Sequence, residues 1–399
     1  MVVAAGFVMW GSPRLVIVGH LSLPQLPFMI FICVSAIMAG ILNGRRHFFI
    51  PAFAPVVLNV CLIGTVWMDT DTEIWALPYA VLVAGITQVI LHGWALVRTG
   101  GMPPATFTSS PEITELRKAT IPVVFSASIY QVNALLDTVI AYAFLGVAAE
   151  GAVAILYFGN RLLQFPMALI THGIGTAAYP ELASRAALGW SATGEGLRQA
   201  TKLLAFFLLP SAVGLFVTAE PLVRTIYQTG RFGEASVGRT ILVTQMLAIA
   251  LLPISLSKLQ ARCFHAHRDQ MTPMRLSLMQ VGLNLVLNLV LVQTPMREAG
   301  LALATAISSL VGSIAYAVIL VRRGAGLALP AGLWRPVVAS VVMGVAVWMT
   351  LHWWPQPVGK ASGYAALRLG AVVALGGVVY LAIAGIAWLR RPKKSVVTD

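Results

Sequence analysis

The stretch GAVAILYFGNRLLQFPMALITHGIGT (151–176) decides how this chain folds. It is long enough to cross a bilayer as a helix, since about 20 apolar residues span the hydrocarbon core. Its one formally charged side chain, Arg161, has ten residues before it within the stretch and fifteen after it. The guanidinium is therefore expected near mid-membrane, where a charge costs roughly 2.5–3.5 kcal/mol on insertion scales. Such a charge predicts a compensating partner, a wet cavity or an anionic ligand.

The composition of the whole chain is that of an integral membrane protein. Of its 399 residues, 58% are hydrophobic and 10% are charged, whereas soluble domains carry about 25% charged residues. The mean hydropathy is +0.84. Basic cytoplasmic loops explain the formal charge of +13, so it gives no reason to expect a nucleic-acid partner. The fold class is an all-α polytopic membrane protein in a phospholipid bilayer.

Apolar runs of about 20 residues each predict one membrane-spanning helix. We expect about eleven full transmembrane helices, together with a partial one at the N-terminus. The full spans lie near residues 24–43, 51–68, 75–97, 119–145, 151–176, 203–219, 240–262, 273–293, 299–321, 335–354 and 366–389.

Loop charges orient these helices. When the loop Gly44–Phe48 is placed in the cytoplasm, most lysines and arginines fall in cytoplasmic loops, as the positive-inside rule requires. The acidic stretch Asp69–Glu73 then falls outside. The same count places the C-terminus in the cytoplasm.

An internal repeat divides the chain. AGILNGRRHFFIP (39–51) aligns without gaps with ARCFHAHRDQMTP (261–273), and Arg46 matches Arg268. The copies lie six helices apart, and an even number indicates parallel repeats related by an axis along the membrane normal. The expected parts are an incomplete N-terminal lobe (1–98), a six-helix C-terminal lobe (119–323), two additional helices (335–390) and a basic cytoplasmic tail (391–399).

Polar side chains accompany Arg161 along its helix. Asn160 precedes it, Gln164 follows three residues later on the same side, and His172 extends the polarity along the segment. One interpretation is a snorkelling or structural arginine on a packed helix. The other, which the pattern favours, is a polar cavity that these side chains line and that binds an anion. Arginine suits phosphate because its planar fork donates two parallel hydrogen bonds.

Asp137 is the second unusual charge, as the only acid in the span 119–145. An intramembrane carboxylate indicates a functional site. It could accept a proton, pair with Arg161 or bind a sodium ion. Later helices offer further oxygens for a small cation, from the side chains of Asn284, Asn288 and Thr305. The amides could instead be hydrogen-bonding groups that only hold helices together.

No enzymatic signature is present. Gly173-Ile-Gly175 lacks the strand context of a dinucleotide-binding loop, and small residues in a membrane helix more often indicate close packing. The three cysteines show no CxxC spacing, which argues against a disulfide or a zinc site. The sequence predicts neither an enzyme nor a cofactor, apart from sodium as a coupling ion.

Three stretches resemble a single family: AGILNGRRHFFIPAFAPVVLN (39–59), YFGNRLLQFPMALITHGIGTAAYPELA (157–183) and LPSAVGLFVTAEPLVRTIYQTGRF (209–232). They are similar to the MurJ/MviN lipid II flippases of the MOP exporter superfamily. The resemblance runs from the start of the chain to about residue 325. The middle stretch is specific, because aromatic-x-x-x-Arg-Leu-x-x-Phe-Pro followed by Gly-x-x-x-x-Pro-x-Leu is not a generic membrane pattern.

The resemblance implies a MOP-type two-lobed transporter of the bacterial inner membrane. Its substrate would be lipid II, the undecaprenyl-pyrophosphate-linked peptidoglycan precursor, moved to the outer leaflet by alternating access. Arg161 matches the arginine that the C-terminal lobe gives to a central cationic cavity for the pyrophosphate. Some members bind sodium in this lobe, and that pattern carries over onto Asp137, Asn284, Asn288 and Thr305. Cell-wall synthesis proteins would be further partners.

Departures from the family pattern bear on these implications. The family often has Asp before the cavity arginine and Glu three residues after it, where this chain has Asn160 and Gln164. The local cavity is then more positive, or Arg161 lacks partners that orient it. Asn288 stands where some sodium-binding members have Asp, which lowers the expected cation affinity.

The family's first two helices carry further cavity arginines and have no counterpart here. We therefore expect an N-terminally truncated chain, through a misplaced start codon, through a truncated gene, or with a second polypeptide that supplies the helices. The alternative functions are a flippase for another polyprenyl-linked oligosaccharide and a transport-incompetent truncated remnant.

Overall fold

The computed structural model describes residues 23–65, 73–101, 111–145, 151–230, 232–327, 329–354 and 363–385. Every regular element within these ranges is helical. The chain forms two units that divide between Pro111 and Glu112. The partial helix expected at the start and the basic tail 391–399 lie outside the described residues. The division into an incomplete lobe, a six-helix lobe and two additional helices stays a prediction.

In the described part of the first unit there are three long helices. After a 3-10 turn at Leu23–Gln25 come α1 (Leu26–Gly44), α2 (Phe49–Thr65) and α3 (Glu73–Arg98). Helix α3 packs against both of the others. Ser35 and His92 join α1 to α3 through a buried contact of 3.2 Å between Ser35 Oγ and His92 Nδ1.

The second unit contains the remaining helices. They are α4 (Pro111–Leu145), α5 (Ala152–Pro166), α6 (Gly173–Ala186), α7 (Trp190–Val217), α8 (Ala219–Tyr227), α9 (Glu234–Ala266), α10 (Met271–Leu291), α11 (Glu298–Arg322), α12 (Trp334–Trp353) and α13 (Gly363–Ala384). A π-helical turn, Met167–His172, joins α5 to α6 without a break. It follows Pro166, which has no N–H to donate to the preceding turn.

Nine stretches of the described chain are helical, long and apolar enough to cross a membrane. The expectation of an all-helical, multi-pass membrane protein is therefore confirmed. Two predicted spans, 51–68 and 119–145, correspond to shorter apolar helices, Phe49–Thr65 and Gln131–Leu145. The span expected at 203–219 begins earlier, at Trp190, because a charged amphipathic segment extends the helix.

Helix α9 is the core of the second unit. It packs against α5, α7 and α11, and half of the residues in its most apolar 18-residue stretch are buried. Close packing depends on Gly159 of α5, where an added Cβ would lie 2.6 Å from a methyl group of Val243. Small residues bring membrane helices together in this way.

The last two helices are tied to α7 at a proline. Pro210 has no N–H, so the carbonyl of Phe206, four residues earlier, loses its helical partner. Tyr380 of α13 donates its hydroxyl to that carbonyl at 2.6 Å. Its ring packs against the Phe206 ring with the centroids 5.3 Å apart. A neighbouring helix thus satisfies the group that the proline frees, as the apolar membrane interior requires.

The two copies of the internal repeat share one unusual turn. Arg46 and Arg268 both have a positive φ, 62° and 59°. The following N–H, that of His47 or Asp269, donates to the carbonyl five residues earlier at 2.9 Å in both copies. A non-glycine residue in the left-handed region is uncommon. Its presence at matched positions, within the same pattern of hydrogen bonds, supports the repeat read from the sequence.

Candidate functional site

Helix α5 presents one packed face and one open face. Ile155, Gly159 and Leu163 are buried at helical spacing. Asn160 and Arg161 lie on the opposite, exposed side. The periodicity of the apolar residues therefore keeps the guanidinium away from the packed interface.

Arg161 has a sparse set of partners. Its Nη1 donates to Gln164 Oε1 at 3.2 Å, and its Cζ lies 5.9 Å from the centroid of the Tyr157 ring. No carboxylate lies within ion-pair distance of it among the residues that the structure describes. A guanidinium has five N–H donors. Arg161 therefore keeps donors available for an anion on the exposed side of α5.

The other predicted cavity residues do not form one group with Arg161. Gln164 contacts it, whereas the Asn160 amide donates to the carbonyl of Leu156 on its own helix at 3.0 Å. His172 lies eleven residues further along, at the end of the π-turn. At about 1.5 Å of rise per residue, that is roughly 16 Å away. His172 lines a different pocket, next to Lys258 and Arg262.

The predicted cation-binding residues do come together. Asn288 donates through Nδ2 to Asp137 Oδ1 at 2.6 Å and to Asn284 Oδ1 at 2.9 Å. The Asn284 Nδ2 lies 3.3 Å from Thr305 Oγ1. Asn288 is fully buried and Asn284 is 3% exposed. The cluster therefore joins α4, α10 and α11 through an enclosed set of polar groups.

Asp137 and Arg161 form no ion pair among the residues that the structure describes. Both oxygens of Asp137 face amides instead, since Asn133 Nδ2 donates to the second oxygen at 3.4 Å. Asn133 is a member of the cluster that the sequence interpretation omitted. It precedes Asp137 by four residues on the same helix, and that spacing was the signal that could have identified it.

The side chain of Asn284 lies between Asp137 and Asn133. With its amide nitrogen facing these residues, it donates to Asp137 Oδ1 and to Asn133 Oδ1, each at 3.1 Å, and its oxygen accepts from the N–H of Thr305 at 3.2 Å. Amide hydrogen bonds therefore close the cluster in this structure, and rotation of the amide would turn its oxygen towards Asp137. One carboxylate among neutral oxygens matches the charge of a monovalent ion, and oxygen ligands suit hard cations. The described residues contain no group of three or more His, Cys, Asp or Glu side chains that could hold a metal.

Comparisons with known proteins agree with this architecture. The family model for the lipid II flippase MurJ matches residues 22–366. A probable lipid II flippase MurJ from Rhizobium meliloti is 30% identical over 380 residues, covering 90% of this chain and 68% of that protein. One from Rhizobium tropici is 28% identical over 384 residues, covering 92% of this chain and 70% of that protein.

Solved structures show the same fold. A lipid II flippase MurJ in an inward closed conformation superposes with a TM-score of 0.76 at 20% identity, covering 95% of this chain and 76% of that one. A MOP superfamily transporter from Pyrococcus furiosus gives 0.60 at 16% identity, covering 82% of this chain and 74% of that one. The fold is therefore the MOP transporter fold. By its match to the family model over most of its length, the chain belongs to the MurJ lipid II flippase family.

Proposed function

We propose that this chain moves lipid II from the inner to the outer leaflet of the bacterial inner membrane, by alternating access and with its C-terminus in the cytoplasm. The observation that carries the proposal is the exposed guanidinium of Arg161, placed in mid-helix and without a carboxylate partner among the described residues. The substrate of the family, lipid II, carries the matching anion in the pyrophosphate that joins its lipid to its head group. The protein is a transporter and catalyses no covalent step. It works beside the proteins of cell-wall synthesis.

Arg161 binds the pyrophosphate in this proposal because it combines charge with geometry. Its planar fork can donate two parallel hydrogen bonds to phosphate oxygens. Gln164 orients the fork through the contact at 3.2 Å and adds no negative charge. An amide at this position keeps the surroundings positive, which favours an anionic ligand. Asn160 adjoins Arg161 on the same helix, whereas His172 lies in the separate pocket beside Lys258 and Arg262.

The Asp137 cluster binds the coupling ion in this proposal. A sodium ion would be held by the carboxylate of Asp137 and by the amide oxygens of Asn133 and Asn284, in place of the amide hydrogen bonds that close the cluster. Because the cluster joins three helices, its occupancy can bias their packing. A ligand shifts a conformational equilibrium only through its different affinity for the two states. The cluster meets that condition if it holds sodium in one state and is closed by amide hydrogen bonds in the other.

The proposal is tested by growth of a strain depleted of its own lipid II flippase. The gene encoding this chain should restore growth, and Arg161→Ala should abolish that rescue. Arg275→Ala is the matched control, since Arg275 is also an exposed arginine of the second unit, and it should grow like the parent. Wild-type growth with Arg161→Ala, at equal membrane abundance, would overturn the role of Arg161.

A further inference from the structure

A second cluster of basic side chains, with Lys258 and Arg262 as its cations, surrounds a pocket at the far end of the π-turn. The pocket has a volume of about 260 Å³, and four basic side chains are among its lining residues: His172, Lys258, Arg262 and His265. No carboxylate lines it within the described ranges of the chain. Charge of one sign gathered in a concave, half-buried site favours an anionic ligand.

The backbone on one side of the pocket is fixed by the π-turn. Thr171 lies 2.7 Å from Ser255 through their hydroxyl oxygens, which ties the turn to α9 one helical turn before Lys258. Isolated π-helical turns occur frequently at functional sites. Here the turn and its hydrogen bond place His172 opposite Lys258 and Arg262 on α9.

A glycine makes room for the guanidinium. A Cβ at Gly175 would lie 2.8 Å from the Cζ of Arg262 and 3.0 Å from its Nε and Nη2. Arg262 therefore lies flat against the backbone of α6, within the pocket. The sequence suggests that Gly173 and Gly175 serve close packing. At Gly175, the absence of a side chain makes room for the guanidinium of Arg262.

The geometry points to a second anion site for the diphosphate group of a lipid in the cytoplasmic leaflet, separate from Arg161. This inference rests on the proposed function, in which the substrate carries a pyrophosphate. The volume is below the roughly 300–1,000 Å³ of pockets that hold drug-sized ligands. The pocket therefore accepts the phosphates and not the sugar and peptide.

The position of the pocket indicates that it acts before Arg161 in the transport cycle. Thr171 follows Arg161 by ten residues, or roughly 15 Å at the helical rise of about 1.5 Å. In the proposed orientation the pocket is on the cytoplasmic side of Arg161. It holds the diphosphate of the incoming lipid first, and Arg161 receives it nearer mid-membrane.

Binding measured in an Arg161→Ala background tests the inference. The full chain is placed in phosphatidylcholine nanodiscs, and the affinities for inorganic pyrophosphate and for a short-chain polyprenyl diphosphate are measured by calorimetry. The background protein should still bind both. Adding Lys258→Gln and Arg262→Gln should weaken binding at least tenfold. Arg275→Gln, an exposed arginine outside the pocket, should change it less than twofold.

Two further variants keep the test decisive if the double glutamine variant does not fold. Gly175→Ala displaces the guanidinium and should weaken binding severalfold, whereas Lys258→Arg retains the charge and should bind like the background. Unchanged binding by Gly175→Ala and by the double variant would overturn the inference. So would equal competition by phosphatidylglycerol, because the site would then hold bulk lipid headgroups.

The outcomes separate the two proposals. Binding that is retained in the Arg161→Ala background and lost in the double variant supports the second site, whatever Arg161→Ala does to growth. If Arg161→Ala still restores growth, the role of Arg161 is overturned, and the second site is not affected. Unchanged binding in the double variant, together with loss of rescue by Arg161→Ala, overturns the second site and leaves the proposed function standing.

Discussion

Arg161 and Asp137 are each the only charged residue in an apolar span of the second unit, within 151–176 and 119–145, yet their surroundings in the structure are opposite. Asp137 is enclosed by amides, with Asn288 donating to it at 2.6 Å. Arg161 is exposed, and its one described hydrogen bond is a contact of 3.2 Å with Gln164. A charge within a membrane must be compensated. Asp137 has its hydrogen-bonding partners within the fold, whereas in the proposed function the partner of Arg161 is a ligand from outside it.

The largest effect on stability should come from removing the carboxylate of Asp137. Asp137→Leu removes the acceptor for two amides and leaves buried donors unsatisfied, each at a cost of about 1–3 kcal/mol. We expect the free energy of unfolding to fall by about 3 kcal/mol. Thermal unfolding in detergent or nanodiscs measures it.

Asp137→Asn is the control for that experiment, since it preserves shape and keeps an acceptor oxygen. It should lose less than half as much stability as Asp137→Leu. If the leucine variant is as stable as the parent, the cluster contributes no internal compensation, and the contrast with Arg161 disappears.

The sequence was informative about Arg161 and Asp137 to different degrees. Apolar runs predicted the helices because burial in lipid depends on composition and length, which are local properties. The contact between Arg161 and Gln164 followed from a spacing of three on one helix. The convergence of Asp137 with Asn284 and Asn288 joins distant helices, so residue types suggested it only as one of several alternatives, which the family pattern then favoured.

Other features could not be predicted because they arise from tertiary packing. The π-turn after Pro166 determines that His172 turns towards α9, away from the group around Arg161. The contact of Arg262 with Gly175 depends on how two helices cross. The left-handed turn at Arg46 and Arg268 was also hidden, although the repeat that contains it was visible. Arginine by itself does not indicate a positive φ.

Replacing the guanidinium with a compact charge should have the next largest effect. Arg161→Lys keeps the positive charge but loses the planar fork for phosphate. We expect lipid II translocation in reconstituted vesicles to fall about tenfold, equivalent to about 1.4 kcal/mol. The free energy of unfolding should stay within about 0.5 kcal/mol of the parent, as for other exposed substitutions.

A lysine variant that unfolds much more easily than the parent would show that Arg161 serves the fold and not a ligand. Arg275→Lys is the matched control at an exposed arginine of the same unit. It should alter neither translocation nor unfolding.

Sodium should stabilise the enclosed site and leave the exposed one unaffected. A ligand that binds only the folded protein adds RT ln(1 + [L]/Kd), or about 1 kcal/mol at five times the dissociation constant. We expect sodium chloride to raise the unfolding temperature relative to potassium chloride at equal ionic strength. Asp137→Asn should abolish the difference, and Arg161→Ala should keep it.

An equal response of the parent protein to both salts would remove sodium from the mechanism. The cluster would then be interhelical hydrogen bonding alone, with the Asn284 amide nitrogen donating to Asp137 and Asn133.

The smallest effect should come from giving Arg161 an internal partner. Gln164→Glu introduces a carboxylate where the amide now contacts the guanidinium at 3.2 Å. An exposed ion pair contributes only about 0–1 kcal/mol, so stability should hardly change. The new carboxylate competes with phosphate for the N–H donors of Arg161. Translocation should therefore fall about two- to fivefold, equivalent to about 0.5–1 kcal/mol. Gln164→Ala, which removes the contact without adding charge, should reduce it less. Higher translocation by Gln164→Glu would mean that Arg161 needs an acidic partner to orient it. The amide of Gln164 would then lower the activity of this chain and would not favour phosphate binding by keeping the site positive.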